Sequence, residues 1–239
     1  MLLLSVETST HTGALALFND ERLIAERILE SAGRRHAQTL VQEASTLLAE
    51  HGCSVAGLQA IAVSVGPGSF TGLRVGVVFA RTLAWVTGIP LLAVDTLQAI
   101  ACQLSPDDIP AGEPLRMLVI SDAQRNEVFV GDYEWDPAVG IWQRVGDVRI
   151  AAVGNLTGSP LIVGPAVTRH REQLEQSGRF RRCLELQPRA REVAAVGRCL
   201  LRCGQLANVA DLEPVYIRPS YAEEKRASGA AGTAGLPLP

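Results

Sequence analysis

The stretch SVGPGSFTGLRVG, residues 64–76, contains the densest group of glycines in the chain and lies between a short apolar run and a longer segment with helical spacing. A glycine-rich loop between a strand and a helix commonly holds a phosphate group. This loop does not match the Walker A pattern, because no Lys-Ser or Lys-Thr pair follows a glycine. The spacing G-x-G-x-x-x-G also departs from a dinucleotide fingerprint, and Pro67 has no backbone N–H to offer. The pattern disfavours a dinucleotide site, while other N–H groups at the helix N-terminus could still bind an anion.

Composition and charge indicate a globular protein with a substantial core. The chain has 239 residues, of which 47% are hydrophobic and 20% charged, and its formal net charge is −3. This balance excludes nucleic-acid binding through bulk positive charge. The first residues, MLLLSVETST, lack the features of a signal peptide, and no apolar run approaches the length of a membrane span. We therefore expect no contact with a membrane. The five cysteines form no C-x-x-C pair, so we expect reduced thiols and a cytoplasmic location.

The order of predicted elements indicates an α/β protein with two halves. The first hundred residues read β-β-β-α-β-α-β-α, with helices predicted at 36–52 and 71–87 and the glycine loop before the second. Asp95 and Gln98 fit an N-cap and its capping partner at the start of the third helix. The proline-rich stretch 105–114 is the best candidate boundary. We therefore predict an N-terminal lobe at 1–104, a C-terminal lobe at 105–222 and a disordered tail at 223–239.

The predicted helix 71–87 is apolar on nearly all sides, and its only charges are Arg74 and Arg81, one heptad apart. A helix of this kind must be covered on more than one face. Two explanations remain open: the helix is buried within its own domain, or one face meets a partner protein. In the second case, helices 36–52 and 71–87 would form half of a helical bundle across a subunit interface.

Three further patterns bear on chemistry. Glu7-Thr8-Ser9-Thr10 lies between two strands, where actin-like folds grip phosphate and magnesium, although hydroxyl-rich turns are common in general. The four histidines offer no i, i+4 pair, and no G-x-S-x-G elbow nominates a serine nucleophile, so we predict no metal and no cofactor. Residues 169–202 contain nine arginines against four glutamates, which indicates either RNA contact or solvated helix faces.

These features together resemble the TsaB (YeaZ) family, which acts in the synthesis of threonylcarbamoyladenosine in tRNA. The similarity extends over both halves of the chain and is most specific in the GPGSFTGLRVG core. The matching stretches are SVETSTHTGALAL, RRHAQTLVQEASTLL, IAVSVGPGSFTGLRVGVVFARTLAW, IPLLAVDTLQAIA, SDAQRNEVFVGDYE and EPVYIRPSY. The resemblance implies an actin-like (ASKHA) fold, with two lobes that are each built on a ribonuclease-H-like mixed sheet with flanking helices.

The resemblance also implies a partner, the catalytic relative TsaD, whose metal-binding H-x-x-x-H motif corresponds here to Thr96 and Ile100. Isoleucine has no lone pair for a cation, and a lone threonine is a poor ligand. Two positions depart from the TsaB pattern. Glu7 stands where aspartate is usual, which leaves residual phosphate affinity open, and Gln124 interrupts the usual D-A-R sequence.

We therefore expect a non-catalytic dimerisation and scaffold subunit of a tRNA threonylcarbamoyltransferase complex. It would bind a TsaD-like subunit, receive a TsaE-like ATPase at the assembled pair, pair with itself when alone, and touch tRNA only indirectly or weakly. The expected interface side chains are His36, Leu40, Leu47, Leu48, Phe70, Thr71, Leu73, Arg74 and Val77. A degenerate nucleotide cleft is expected at Glu7, Thr8, Ser9, Thr10, Gly66 and Gly68.

Two alternatives compete with this interpretation. The chain could be an independent actin-like phosphotransferase that binds a nucleotide by itself. It could also be an M22-type peptidase, an older label in this superfamily, which would need a catalytic metal or a working nucleophile.

Overall fold

A computed structural model of the chain describes residues 1–29 and 36–218, with the backbone alone for 36–38. The described part contains two five-stranded sheets and five α-helices. In chain order the elements are β1 Leu2–Glu7, β2 Gly13–Asn19, β3 Arg22–Leu29, α1 His36–Glu50, β4 Ala60–Gly66, α2 Phe70–Thr87, β5 Leu91–Asp95, α3 Thr96–Ala101, β6 Arg116–Asp122, β7 Glu127–Asp136, β8 Ile141–Ala152, β9 Leu161–Val163, α4 Val167–Gln176, β10 Arg182–Leu184 and α5 Ala190–Arg202. Within the described ranges, no helix combines the length and apolarity needed to traverse a bilayer.

The first sheet has the strand order β3-β2-β1-β4-β5. Strands β1, β2 and β3 form an antiparallel meander, and β4 and β5 then add in parallel to β1. Every residue of β4 is buried, as expected for a parallel strand covered on both faces. Helices α1 and α2 cover one of these faces, where their inner side chains join a core built on Leu4, Leu15 and Ile61.

The second sheet repeats the topology of the first. Its order, read from the far edge, is β8-β7-β6-β9-β10, with an antiparallel meander followed by two parallel additions. The repeat is imperfect, because a single 3-10 turn at Val153–Asn155 replaces the helix that would correspond to α1. The prediction of two ribonuclease-H-like lobes with mixed sheets is confirmed.

The last helix of each lobe joins the two lobes together. Helix α3 follows the first sheet, yet Leu97 and Ile100 pack into the core of the second. Helix α5 follows the second sheet, yet Val193 and Val196 pack against the first. At Gly197 the approach is so close that a Cβ there would lie 2.7 Å from the Cβ of Ala62.

This exchange corrects the predicted domain limits in one respect. Helix α5 lies within the range 105–222 predicted for the C-terminal lobe, but it packs on the N-terminal sheet. Its apolar face covers the side of that sheet that α1 and α2 leave open. The predicted eight-element order of the first hundred residues is confirmed, whereas α4 and β10 were not predicted. The predicted disordered tail, 223–239, lies outside the described residues.

The exchange of helices makes α5 a structural element of the first lobe. We expect Val193→Ala to lower the free energy of unfolding by about 2 kcal/mol, because it removes two methyl groups from a fully buried position. The matched control is Val78→Ala, the same change at a valine that is 57% exposed, and we expect it to be near neutral. Denaturant unfolding of both variants checks the difference, and equal values would contradict the assignment.

Candidate functional site

The glycine loop joins the end of β4 to the start of α2. Ser69 is the N-cap of α2, and its hydroxyl accepts a hydrogen bond from the Gly72 amide. The Ser69 amide, which a phosphate could have used, donates instead to the carbonyl oxygen of Ser9 at 2.7 Å. The glycine loop therefore bonds directly to the Glu7–Thr10 turn.

The glycines of the loop and helix allow this contact. A Cβ on Gly68 would lie 2.4 Å from the Ser9 carbonyl oxygen, and one on Gly72 would lie 2.0 Å from that of Thr8. A Cβ on Gly76 would lie 2.2 Å from the Thr8 hydroxyl oxygen. Gly72 and Gly76 lie on the same face of α2, and Gly68 continues the four-residue spacing into the loop before it. Their spacing serves the close packing of α2 on the turn.

Buried polar atoms remain beneath this contact. Glu7 is fully buried; one carboxylate oxygen accepts from the Ser9 amide at 2.5 Å, and burial raises the pKa of its carboxyl. No described residue provides a partner for the other oxygen of Glu7 or for the hydroxyls of Thr8 and Ser9. Unpaired buried oxygens are rare and call for an explanation. These oxygens belong to the turn on which helix α2 packs.

A cavity of about 600 Å³ lies between the two lobes beside the turn. Of the predicted cleft residues, Ser9, Thr10 and Gly68 line it, and Gln124 and Arg125 face them from the second lobe. Glu7 and Thr8 lie buried below its wall. Gly66 instead lines a second cavity of about 660 Å³. Val215 and Ile217 line both cavities and lie between them. The structure thus brings three of the six predicted residues to one cavity.

The positions that correspond to the metal-binding histidines of TsaD take structural roles. The Thr96 hydroxyl accepts a hydrogen bond from the Gly66 amide at 3.2 Å, and Ile100 is fully buried in the second core. Asp95, just before them, caps α3 as predicted. Its carboxylate also accepts from Tyr133 and Arg144 of the second lobe, each at 3.0 Å. The guanidinium forms an ion pair with this carboxylate, and the phenol hydroxyl donates a hydrogen bond to it.

The pKa of the Asp95 carboxyl reflects opposing effects. Burial raises this pKa, while Arg144, Tyr133 and the amides of α3 act to lower it, and burial has the larger effect. Within residues 1–29 and 36–218, no group of three or more histidine, cysteine, aspartate or glutamate side chains has the geometry to hold a metal ion.

The predicted interface side chains divide into buried and accessible groups. Five of them are almost wholly buried in the chain's own core, which corrects their assignment as partner contacts: Leu40, Leu47, Leu48, Leu73 and Val77. They lie on the faces of α1 and α2 that point toward the first sheet. Thr71 and Arg74 are exposed, and Phe70 is half-buried. The side chain of His36 lies outside the described residues.

Different apolar side chains occupy the outward faces of these helices. Val78, Trp85 and Val86 are 57%, 72% and 76% exposed, and we call these three the α2 stripe. Val41 on the neighbouring helix α1 is 62% exposed. None of these four side chains is among the predicted interface residues. The sequence shows that helix 71–87 is apolar on nearly every side, but it does not show which side faces the sheet.

The arginine-rich stretch 169–202 is largely engaged within the lobes. Arg169, Arg171 and Arg191 form ion pairs with acidic side chains. Arg179 and Arg182 donate to backbone carbonyl groups of their own lobe. These contacts favour the structural explanation of the arginine surplus over RNA contact.

The fold defines the class: an actin-like protein of two lobes, in which the Glu7–Thr10 turn is in direct contact with helix α2. Residues 27–197 match the family model described as TsaD: tRNA N6-adenosine threonylcarbamoyltransferase. The chain belongs to this family and, within it, to the TsaB (YeaZ) type.

Three comparisons support this assignment. The tRNA threonylcarbamoyladenosine biosynthesis protein TsaB of Bacillus subtilis is 29% identical, over 94% of this chain and 97% of the relative. The structure of YeaZ from Pseudomonas aeruginosa superimposes with a TM-score of 0.76 at 26% identity, over 90% of this chain and 99% of that one. A polyphosphate/ATP-glucomannokinase from Arthrobacter, at 12% identity and a TM-score of 0.50 over 84% and 99% of the two chains, shows similarity of fold alone.

The close contact at Gly72 predicts the sign of the stability change in Gly72→Ala. Helix propensity alone predicts that Gly72→Ala stabilises the protein by about 0.5–1 kcal/mol. Because the added methyl group would meet the Thr8 carbonyl oxygen, we expect instead a loss of about 1–3 kcal/mol. In Gly57→Ala, the nearest atoms would be 3.8 Å away, and this control should be close to neutral. A stabilised Gly72→Ala in thermal or denaturant unfolding would exclude the close contact.

The buried carboxyl of Glu7 predicts a dependence on pH. The pKa of Glu7 is higher in the folded chain than in the unfolded chain, so the folded state holds the proton more tightly. The free energy of unfolding therefore falls as the pH rises from the unfolded-state pKa to above the folded-state pKa. We expect Glu7→Gln to gain stability relative to the wild type on going from pH 5 to pH 8. Denaturant unfolding at both pH values measures the gain. The exposed Glu172→Gln is the control, and an equal change in both variants would contradict the prediction.

Proposed function

We propose that the chain is a non-catalytic scaffold subunit that binds and supports a TsaD-like catalytic subunit. That subunit transfers a threonylcarbamoyl group to N6 of the adenosine next to the tRNA anticodon. The observation that carries the proposal is the α2 stripe, a set of large apolar side chains left uncovered on a helix whose opposite face is core. Contiguous apolar surface of this kind marks protein interaction sites.

The composition of the stripe suits a protein partner. Trp85 offers a large, rigid ring of the type that dominates binding energy at interfaces. Val41 is an exposed apolar residue of α1, which shares a core with α2, and we propose that it extends the same interaction surface. A partner with two comparable helices would complete a four-helix arrangement. In the free chain, the same surface is expected to pair with a second copy.

The cleft supports a role without catalysis. The helix packs directly on the Glu7–Thr10 turn, and the positions of the TsaD histidines hold Thr96 and Ile100. A TsaE-like ATPase is proposed to dock on the assembled pair, with tRNA held mainly by the other subunits.

The proposal is tested by binding of the purified chain to its TsaD-like partner. We expect Trp85→Ala to weaken the affinity about 30-fold or more, in the range of interface hot spots. Val145→Ala, a partly exposed apolar residue on β8 of the other lobe, is the control and should bind like the wild type. A wild-type chain that does not bind this partner would refute the proposed function.

The residue chosen for such a test must lie on the surface. Leu73 is fully buried on the inner face of α2, and Leu73→Asp would place an unpaired charge in the core. Loss of binding by that variant would report unfolding, whereas Trp85→Ala leaves the core intact.

One observation favours the phosphotransferase as a second candidate. The unpaired oxygens of Glu7 and Ser9 lie at or below the wall of a cavity large enough for a small ligand. Calorimetric titration of the isolated chain with ATP and magnesium tests this candidate, and micromolar or tighter binding would promote it. The peptidase alternative would require a stoichiometric metal in the purified chain, which elemental analysis measures.

A further inference from the structure

The segment that follows α5, residues 205–218, runs back along the first lobe and into the cleft, and we call it the strap. Two backbone hydrogen bonds tie it to the first sheet. The Ala207 amide donates to the Leu91 carbonyl at 2.9 Å, and the Val215 amide donates to the Val65 carbonyl at 2.7 Å. The strap therefore starts beside the amino end of β5 and reaches the carboxyl end of β4, next to the glycine loop, at Val215.

Arg81 holds the first half of the strap. Its guanidinium donates to the carbonyl oxygens of Val209, Ala210 and Leu212, at 2.9, 2.5 and 2.9 Å. Each of these carbonyls belongs to the strap, and the planar guanidinium suits several acceptors at once. One side chain of α2 thus organises a whole turn of the strap.

Arg74, one heptad earlier on α2, contacts the second half of the strap. Its Nε donates to the Tyr216 hydroxyl at 3.2 Å, and its guanidinium carbon lies 4.2 Å from the centre of the Phe70 ring. The rings of Tyr216 and Phe70 are 4.5 Å apart between centroids. The only two charged residues of α2 therefore both contact the strap.

The end of the strap reaches the second lobe. Arg218 donates to the carbonyl oxygen of Ala123, in the turn between β6 and β7, and forms an ion pair with Glu127, the first residue of β7. Val215 and Ile217 separate the two cavities of the cleft. The strap is thus attached to both lobes and occupies the middle of the space between them.

We propose that the strap holds the lobes closed and, through Tyr216, positions Arg74 to bind an acidic side chain of the TsaD-like partner at the end of the α2 stripe. This inference rests on the proposed function. Among the described residues, no carboxylate pairs with Arg74, although its side chain is exposed and oriented by two rings. A guanidinium with an ordered plane is suited to a carboxylate. Arg74 lies one helical turn from Val78, so the charged contact and the apolar stripe form one continuous surface.

The experiment measures two properties of the full-length chain. Hydrogen exchange of the free chain reports whether the strap is seated, at the amides of Ala207 and Val215. Titration with the TsaD-like partner reports the affinity. We expect Arg81→Ala to speed exchange across the strap about tenfold or more, and to weaken partner binding about tenfold, because the loss of three hydrogen bonds releases the strap. Tyr216→Phe retains the ring and removes only the hydroxyl, so we expect an affinity loss of about threefold.

Arg179→Ala is the matched control, since it also removes a guanidinium bonded to two carbonyls, but within the second lobe. It should leave strap exchange and affinity unchanged. If Arg81→Ala does not fold, Tyr216→Ala, at a partly exposed position, replaces it.

The outcomes separate the inference from the proposed function. A wild-type chain that does not bind the partner refutes the function, while the exchange data still test the closing role of the strap. A wild-type chain that binds, together with strap variants that exchange faster yet bind equally well, overturns the positioning of Arg74. Unchanged exchange in Arg81→Ala overturns the strap itself.

Discussion

The close contact between helix α2 and the Thr8–Ser9 turn governs the first lobe. Three glycines at intervals of four residues bring the helix backbone within hydrogen-bond distance of the turn, where any Cβ would collide. Beside this contact Glu7 is fully buried, and the buried hydroxyls of Thr8 and Ser9 have no partner among the described residues. The glycine-rich loop and helix here accommodate the protein's own backbone. The outer face of α2 is consequently set at the surface in one orientation.

The two lobes are held together by exchanged helices and by side chains that cross the cleft. Helices α3 and α5 each complete the core of the other lobe. Asp95 accepts hydrogen bonds from Tyr133 and Arg144 across the cleft, and Arg218 reaches Glu127 from the strap. Contacts of this number and burial favour a fixed arrangement of the lobes over the opening and closing that a nucleotide cycle needs. A fixed arrangement suits the proposed scaffold role.

The predicted interface shows where pattern reasoning reached its limit. The helices are predicted with nearly correct bounds. Of the two alternatives for α2, burial within its own domain holds for one face, while contact with a partner stays a prediction. One face is buried in its own domain, and another is apolar and exposed. Five side chains predicted to contact a partner instead face the chain's own core: Leu40, Leu47, Leu48, Leu73 and Val77. A helix that is apolar all round has no internal mark of direction, so only the position of the sheet distinguishes Leu73 from Trp85.

The sequence by itself determined the alternation of strands and helices, the N-cap at Asp95, the family and the absence of histidines at the Thr96 and Ile100 positions, because these depend on local spacing and residue chemistry. Only the tertiary structure decided what the glycines of residues 64–76 contact, which lobe α5 completes, and why Arg74 and Arg81 lie on an apolar helix. Each of these depends on segments far apart in the chain: the glycines meet residues 8 and 9, and the arginines meet a strap more than a hundred residues later. Spacing along the chain carries no information on such distant partners until the fold brings them together.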